Sequence, residues 1–282
     1  MLRSDSARGL IGAAYDPKME LQGKRVLITG ASRGIGESLA RAFTTAGARV
    51  ALVARSRDSL EPLATALDGT VHPTDLSDPT QVAVLIPRVE DEAGPVDVLI
   101  NNAGIESTTS FADAPDDELH RVTQVNYLAP AELCRQAIPR MLRRGGGHIV
   151  NVSSLAGLMT FPGLTTYSAS KAALSHFTAG LRADLRGLPI RTTLVELGTV
   201  PTDLLAKADN YEPTAKSFQR AYRLGTVDTP REKVAKEVVK AVLKNRRHVR
   251  LPRRSAPMAL LVEAPRRATE IMLTGVPHQA KS

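Results

Sequence analysis

The stretch KRVLITGASRGIG, residues 24–36, is an apolar strand that runs into a turn with three glycines. A helical pattern follows over residues 37–46. Glycines between a strand and a helix let the backbone approach a pyrophosphate, and the helix N-terminus then supplies free amides. A plain tight turn would need one glycine rather than three at this spacing. The stretch therefore predicts a nucleotide-binding unit at the start of an α/β fold.

Strand and helix patterns alternate along the rest of the chain. Strands are predicted over residues 49–54, 70–75, 96–101, 149–152, 190–196 and 249–251, and helices over 59–67, 79–93, 117–144, 166–185 and 231–244. Regular alternation of this kind favours right-handed crossovers within one parallel sheet. We therefore predict a single α/β domain, a doubly wound parallel sheet of about seven strands with helices on both faces.

The composition fits one cytoplasmic enzyme-sized domain. The 282 residues are 43% hydrophobic and 23% charged, which allows a substantial core. The one cysteine, Cys134, excludes an internal disulfide and is expected in the core of a helix. No apolar run approaches the roughly 18 residues of a membrane span, and residues 1–20 read as a flexible leader without a secretory signal. A cytoplasmic location is expected.

The net charge of +8 is concentrated in the C-terminal part of the chain. Residues 245–282 contain eight basic and two acidic side chains. A nucleic-acid partner is not predicted, because aromatics are only 4% and no recognition motif occurs. Two alternatives remain for the basic tail, residues 252–282: contact with an anionic membrane, or packing on the domain or a neighbouring subunit. Packing is favoured because Pro257 and Pro265 confine its apolar stretch to about two turns.

A second segment, residues 145–188, carries groups that could transfer a proton. Ser154 ends a buried strand, and Tyr167 and Lys171 stand four residues apart on the helix that follows. Side chains at this spacing share one face. An ammonium beside a phenol lowers the phenol's pKa from about 10, so the tyrosine could exchange a proton with an alcohol or carbonyl. Such a pair alone is common on ordinary helices, and the glycine turn upstream is what favours an active site.

Two arginines indicate which dinucleotide binds. In NAD-binding halves an acidic residue at the end of the second strand bonds the ribose hydroxyls, and this chain has Arg55 there instead. Arg33 stands in the glycine turn. Two guanidiniums suit a 2′-phosphate, so NADP(H) is the expected cofactor. The alternative is that both are solvated surface arginines.

These motifs together resemble the short-chain dehydrogenase/reductase family, a Rossmann-type catalytic domain, over about residues 21–251. The resemblance is carried by TGASRGIG at 29–36, Asp75-Leu76, NNAG at 101–104, Asn126, Ser154 and YSASK at 167–171. One departure is Leu197, where the family usually has a proline before Gly198.

The resemblance implies four catalytic residues. Tyr167 would be the acid/base, and Lys171 would lower its pKa and hold the nicotinamide ribose. Ser154 would orient the substrate oxygen, and Asn126 would help a helix carbonyl bind a water that relays protons. Among the cofactor contacts, Asp75 would meet the adenine amino group, the turn at 102–104 would line the adenosine, and the segment after Gly198 would meet the carboxamide. The implied cofactor-binding residues are Gly30, Ser32, Arg33, Gly34, Ile35, Gly36, Arg55, Asp75, Leu76, Asn102, Ala103, Gly104, Tyr167, Lys171, Gly198, Val200 and Thr202, with no metal.

The expected function is NADP(H)-dependent interconversion of a carbonyl and a secondary alcohol, as a ketone reductase on an apolar, lipid-like substrate. The alternative is a non-catalytic NADP(H)-binding regulatory protein, which the complete Asn126, Ser154, Tyr167 and Lys171 set disfavours. Residues 203–229 would form a substrate wall. A homodimer or homotetramer is expected, because the helices that carry Asn126 and Tyr167 have more apolar surface than one sheet face needs.

Overall fold

A computed structural model describes residues 19–201, 211–223 and 227–255. All strand pairs are parallel, in the order β3-β2-β1-β4-β5-β6-β7, and helices cover both faces. This confirms the predicted doubly wound α/β domain. The strands are β1 Arg25–Thr29, β2 Arg49–Ala54, β3 Thr70–Pro73, β4 Val98–Asn101, β5 Gly147–Ser154, β6 Ile190–Leu197 and β7 His248–Leu251. The helices are α1 Gly34–Thr45, α2 Glu61–Leu67, α3 Pro79–Ala83, α4 Leu85–Ala93, α5 Glu118–Thr123, α6 Ala129–Arg143, α7 Thr165–Asp184, α8 Glu212–Arg223 and α9 Arg231–Leu243.

Successive side chains along each strand lie in two separate hydrophobic cores, one on each face of the sheet. Ile28 and its neighbours on one face pack against α1, α2 and α9, whereas Leu27 and its neighbours on the other face pack against α3, α4, α6 and α7. This follows from the two-residue repeat of a strand, which sends successive side chains to opposite faces. Strands buried on both faces read as continuous apolar runs, which is why β1, β2 and β4 were visible in the sequence.

The strand order reverses between β1 and β4, which are neighbours in the sheet although six elements, α1 to α4 with β2 and β3, separate them in the chain. The crossovers from these two strands leave toward opposite faces, and a crevice opens at their carboxyl ends. The glycine turn after β1 and the NNAG turn after β4 both lie at this edge. The fold therefore brings the two glycine-containing motifs together.

The helix predicted over residues 79–93 is two helices, which is a correction. The side-chain amide of Gln136, on α6, enters the break: its Nε2 donates to the carbonyl of Val82 (2.9 Å), and its Oε1 accepts from the amide of Ile86 (3.3 Å). These two backbone groups would otherwise bond each other within one helix. The substitution comes from a residue fifty positions away, so no local pattern could reveal it.

The helix predicted over residues 117–144 is also interrupted. A π-helical turn, Gln124–Leu128, joins α5 to α6 and carries Asn126. Pro130 contributes to the break, because it has no N–H to donate to the carbonyl of Asn126 four residues earlier. Single π-helical turns occur often at functional sites. Pro139 lies inside α6.

The buried face of α7 is mostly polar. Its buried residues are Thr166, Tyr167, Ser170, Lys171, Leu174, Ser175 and Thr178. The hydroxyls are tolerated because they are bonded: Thr178 donates to the carbonyl of Leu174 (2.7 Å) and accepts from the amide of Asn151 on β5 (2.9 Å). Polar bonds to the sheet thus fix this helix along its length.

Several expectations fall on residues outside the described ranges. These are most of the leader, the cofactor residue Thr202, parts of the insertion at 203–229, and the basic tail beyond residue 255. Among the helices that the structure describes, none combines the length and apolar character that crossing a bilayer requires.

Candidate active site

The backbone conformation of the glycine turn disfavours side chains at its three glycine positions. Gly30 and Gly34 have positive φ angles of 66° and 60°, which L-residues with side chains rarely adopt. A Cβ at Gly36 would stand 2.0 Å from the carbonyl oxygen of Gly30. The N-cap residue of α1 is Arg33, whose guanidinium has no acceptor and makes no capping hydrogen bond, so the first amides of the helix are not capped by this side chain. The three glycines therefore leave a cradle at a helix N-terminus, which suits a pyrophosphate.

The NNAG turn braces that cradle. The side-chain amide of Asn102 donates to the carbonyls of Thr29 (2.9 Å) and Gly30 (3.3 Å). The Thr29 hydroxyl accepts from the backbone amides of Asn102 (3.0 Å) and Ala103 (3.1 Å). Asn102 and Ala103 were predicted to line the adenosine. Their polar groups hold the glycine turn and leave its backbone surface for a ligand, so their place beside the adenosine stays a prediction.

Residues predicted near the adenine have their own internal bonds. One oxygen of Asp75 accepts from the amide (2.9 Å) and the hydroxyl (2.7 Å) of Ser77. Leu76 packs in the second core, and its carbonyl accepts from Gln124 at the start of the π-helical turn (3.4 Å). The second carboxylate oxygen of Asp75 could accept a hydrogen bond from a ligand. The side chain of Leu76 is buried, so Leu76 can border the nucleotide site through its backbone.

The two arginines lie at the open edge of the crevice. Arg33 and Arg55 are both exposed. Arg55 makes no ion pair or hydrogen bond to another residue within the described ranges, whereas the nearby Arg57 pairs with Glu61 at 3.6 Å. Ser32 and Ile35, on either side of Arg33 and Gly34, are half-buried. The chain therefore presents guanidinium rather than carboxylate at the end of β2.

Tyr167, in the first turn of α7, and Ser154, at the carboxyl end of β5, meet at the same edge of the sheet. The Ser154 hydroxyl donates to the carbonyl of Leu197 (3.3 Å), accepts from the amide of Ala156 (3.1 Å) and interacts with the Tyr167 phenol. Its neighbour Ser153 points to the opposite side and is buried, donating to the backbone carbonyl of Lys171 (2.9 Å). The alternation of the strand thus distinguishes the two serines and favours Ser154 as the substrate-facing one.

Lys171 is buried beside the tyrosine. Its Nζ donates to the carbonyl of Val152 (3.0 Å) and lies 5.9 Å from the centroid of the Tyr167 ring. An ammonium has three donors, and the Val152 carbonyl accepts from one of them. A Cβ at Gly104 would stand 3.2 Å from Nζ, so this glycine keeps space open in front of the ammonium. Burial lowers the pKa of Lys171 to about 8.

The pKa of Tyr167 differs from expectation. Burial raises the pKa of the phenol above its usual value, the Glu106 carboxylate raises it further, and the Ser154 hydroxyl opposes both. The sequence predicted that Lys171 would lower this pKa. The pKa of Tyr167 is raised overall, because the cost of burying a phenolate away from water outweighs the hydrogen bond from the Ser154 hydroxyl. The phenol is therefore protonated at neutral pH, in the form that donates a proton.

Asn126 is fully buried and joins three elements. Its Oδ1 accepts from the amide of Ile105 (2.9 Å), and its Nδ2 donates to the carbonyl of Ile105 (2.9 Å) and to the Ser170 hydroxyl (3.0 Å). Ser170 in turn donates to the carbonyl of Tyr167 (2.7 Å). Asn126 thus fixes the segment after β4 against the helix that carries Tyr167.

The segment after β6 borders the site from the other side. The β5–β6 ladder extends to Leu197, one residue beyond its predicted end, since leucine has the N–H that the family's proline lacks. Gly198 donates to the carbonyl of Leu251 (2.7 Å), and a Cβ there would stand 3.1 Å from Pro252. Val200 is buried in the first core, so it can meet a ligand mainly through its backbone.

The two buried histidines and the cysteine have structural roles. His148 is buried and bonded to the Thr193 hydroxyl (2.8 Å), and burial lowers its pKa to about 3. His72 is buried between Thr70 and Glu92. Cys134 is buried in α6, and burial raises the pKa of its thiol to about 12. None of the described residues forms a cluster that could hold a metal ion.

Sequence reasoning missed Glu106 and Ser170. Glu106 follows the NNAG turn by two residues and acts on the Tyr167 phenol. Its position just past the carboxyl end of β4 was the available signal. Ser170 lies within the YSASK motif three residues after Tyr167, and that helical spacing could have indicated its bond to the Tyr167 carbonyl.

Comparison with known proteins agrees with this geometry. The family model described as short chain dehydrogenase matches residues 24–213. The ketoacyl reductase HetN of Nostoc is 38% identical over 227 residues, which are 79% of this chain and 76% of that protein. The glycine betaine reductase ATRR of Emericella nidulans is 40% identical over 71% of this chain, but the chain spans only 16% of that protein's length.

A solved structure extends the comparison to the whole domain. The short chain dehydrogenase/reductase of Burkholderia phymatum, in complex with NAD, is 27% identical and superimposes with a TM-score of 0.72. The match covers 94% of this chain and 99% of that chain.

Proposed function

Because the chain belongs to the short-chain dehydrogenase/reductase family, we propose that this oxidoreductase uses NADP(H) to reduce a ketone on an apolar substrate to a secondary alcohol. The observation that carries the proposal is the Tyr167 phenol, held protonated at the carboxyl edge of the sheet with Ser154 and a buried ammonium beside it. A non-catalytic nucleotide-binding protein would have no use for this arrangement.

Each residue of the site has a separate role in the reduction. A bound reduced nicotinamide would supply a hydride to the carbonyl carbon. The Tyr167 hydroxyl donates its proton to the carbonyl oxygen of the substrate. The Ser154 hydroxyl has one proton, which it donates to the Leu197 carbonyl in this structure, and it rotates to donate that hydrogen bond to the substrate oxygen instead. The ammonium of Lys171 stabilises the phenolate that remains and can bond ribose hydroxyls with its other donors. Carbonyl, hydride and proton together give the alcohol.

The cradle of Gly30, Gly34 and Gly36 would hold the pyrophosphate, with Asp75 toward the adenine and the backbone of residues 198–200 toward the carboxamide. With NADPH as the nucleotide, reduction is the expected direction, and the protonated Tyr167 phenol is the form that gives up a proton in that direction. Assay of NADPH consumption against a panel of ketones that includes long-chain acyl ketones tests the activity. Binding of the nucleotide without turnover of any ketone would favour the regulatory alternative.

Apolar walls support an apolar substrate. Leu155 and Leu164 are buried on the loop between β5 and α7, and the ring of Phe161 on that loop stacks on Phe218 of α8 at 5.1 Å. The name of HetN, a ketoacyl reductase, is compatible with a ketone on an acyl chain. The loop and α8 therefore offer a wall suited to hydrocarbon rather than to sugar.

We expect NADP(H) to bind more tightly than NAD(H), and Arg55→Ala to remove part of that preference. A charge-assisted bond to phosphate contributes about 1.5–3 kcal/mol, so the variant should bind NADP(H) about 10- to 150-fold more weakly with little change for NAD(H). Arg57→Ala is the matched control, because Arg57 stands at the same strand end but pairs with Glu61. Titration of both nucleotides decides, and equal affinities in the wild type would refute the NADP(H) assignment.

We also propose that the protein is a homodimer or homotetramer. Three large apolar side chains are about half exposed on or just before α5 and the π-helical turn: Phe111, Leu119 and Leu128. Apolar side chains clustered on one surface favour association. Light scattering at micromolar concentration should therefore give a multiple of 30.2 kDa, and a monomer alone would contradict the proposal.

A further inference from the structure

Helix α8 is attached at its first turns to the loop that leads into the Tyr167 helix. The Thr214 hydroxyl donates to the carbonyl of Pro162 (2.6 Å), and Thr214 is fully buried. One helical turn further on, the ring of Phe218 stacks on Phe161 with 29° between the ring planes. The position of α8 is therefore tied to the wall of the substrate cleft.

The last turn of α8 is attached to a different part of the site, the post-β6 segment, residues 198–200. The Tyr222 hydroxyl donates to Asp228 Oδ1 at 2.6 Å. The next residue, Thr229, is buried and donates its amide to the carbonyl of Thr199 at 2.9 Å. α8 thus bridges the loop before α7 and the segment that follows β6.

The hydroxyl of Thr199 is buried and makes no hydrogen bond of normal geometry to a residue in the described ranges. It nevertheless lies close to the Tyr222 hydroxyl: burial and the Asp228 bond raise the pKa of Tyr222, whereas Thr199 lowers it. A buried hydroxyl without a partner is unfavourable and uncommon. The Tyr222 oxygen donates its proton to Asp228 and keeps lone pairs, so it can accept from Thr199 after a small approach of α8.

We propose that Tyr222 is a positioning residue that links the substrate wall to the cofactor segment. A chain of hydrogen bonds from the Thr199 hydroxyl to the Tyr222 oxygen, and from Tyr222 to Asp228, fixes the post-β6 segment when α8 approaches. This inference rests on the proposed function, because it takes the backbone around Val200 as the binding site of the nicotinamide carboxamide. A substrate bound against α8 then stabilises the post-β6 segment, and a nucleotide bound at that segment stabilises the position of α8.

The test compares Tyr222→Phe, Thr199→Val and the double variant with wild type. Both single changes keep the shape of the side chain and remove one hydroxyl. We expect each to weaken NADPH binding about three- to tenfold, as for the loss of one hydrogen bond, and the double variant to lose little more than either. The amides of residues 199, 200 and 229 should exchange faster in the NADPH complex of each variant. Ser217→Ala is the control, because that hydroxyl bonds only the carbonyl of Pro213 within α8 in the described contacts.

Three outcomes would overturn the inference: NADPH affinity in Tyr222→Phe equal to wild type, effects of the two single variants that simply add, or the same loss in Ser217→Ala. A fall in thermal stability with unchanged NADPH affinity would also overturn it, since Tyr222 would then only hold the helix. Failure of the proposed function is distinguishable, because it would appear in the wild type, which would then reduce no ketone with NADPH, whereas failure of this inference appears only when the variants are compared with the wild type.

Discussion

Tyr167→Phe should reduce turnover by about 10²–10⁴-fold while leaving nucleotide binding nearly unchanged. The variant loses the only proton that the phenol can donate and keeps the ring, which is buried at the start of α7. Ser154 can still bond the substrate oxygen, so substrate binding should change less than turnover. The loss should therefore fall on kcat rather than on KM.

Tyr127→Phe is the matched control for this variant. Tyr127 lies on the π-helical turn, and its ring meets Phe177 edge-on at 6.0 Å, a contact that survives loss of the hydroxyl. We expect it to keep wild-type turnover. A normal kcat of Tyr167→Phe on any ketone that the wild type reduces would show that Tyr167 is not the proton donor.

Lys171→Ala should lose both activity and nucleotide affinity, because one ammonium serves the phenolate and the ribose. Lys171→Met separates charge from packing, since it keeps most of the aliphatic stem without the charge. Both variants should therefore show a loss of at least the 10²-fold typical of an acid/base group, together with weaker binding. Lys236→Ala, on an exposed position of α9, is the control. Tight nucleotide binding in both Lys171 variants would contradict the double role.

The same residue sets the expected pH dependence. Burial lowers the pKa of Lys171 to about 8, so the ammonium is charged below that pH and loses its charge above it. The phenol has a raised pKa and stays protonated across this range. In the wild type, kcat/KM for reduction should accordingly fall as the pH rises through about 8. A profile that stays level through this window would show that Lys171 is not titrating there.

The fold was predictable because its signals are local. Strands such as β1 and β2 are buried on both faces beyond their first residue and carry a run of apolar side chains there, and each is followed by a turn and a helix within a few residues. The helix interruptions were not predictable in the same way. The amide of Gln136 breaks the helix at 79–93 from fifty residues away, and α7 buries hydroxyls whose partners lie on β5.

The candidate site was predicted as a set of residues but not as an electrostatic arrangement. Motif spacing located Ser154, Tyr167 and Lys171 on one edge of the sheet. It could not give the direction of the Tyr167 pKa, because that depends on burial and on Glu106, which stands sixty residues earlier in the chain. Motif spacing could likewise not reveal the bonds of Asn102 to the glycine turn, since they join the ends of two strands that only the sheet makes neighbours.

The central claim is that this chain reduces a carbonyl with a hydride from NADPH and a proton from Tyr167. The most direct measurement uses NADPH with deuterium on the transferred position of C4, a panel of apolar ketones, and mass spectrometry of the products. The account predicts an alcohol with one deuterium on the carbinol carbon from the wild type, and almost none from Tyr167→Phe although it binds NADPH. Bound NADPH with no labelled alcohol from any ketone, or equal labelling by both proteins, would contradict it.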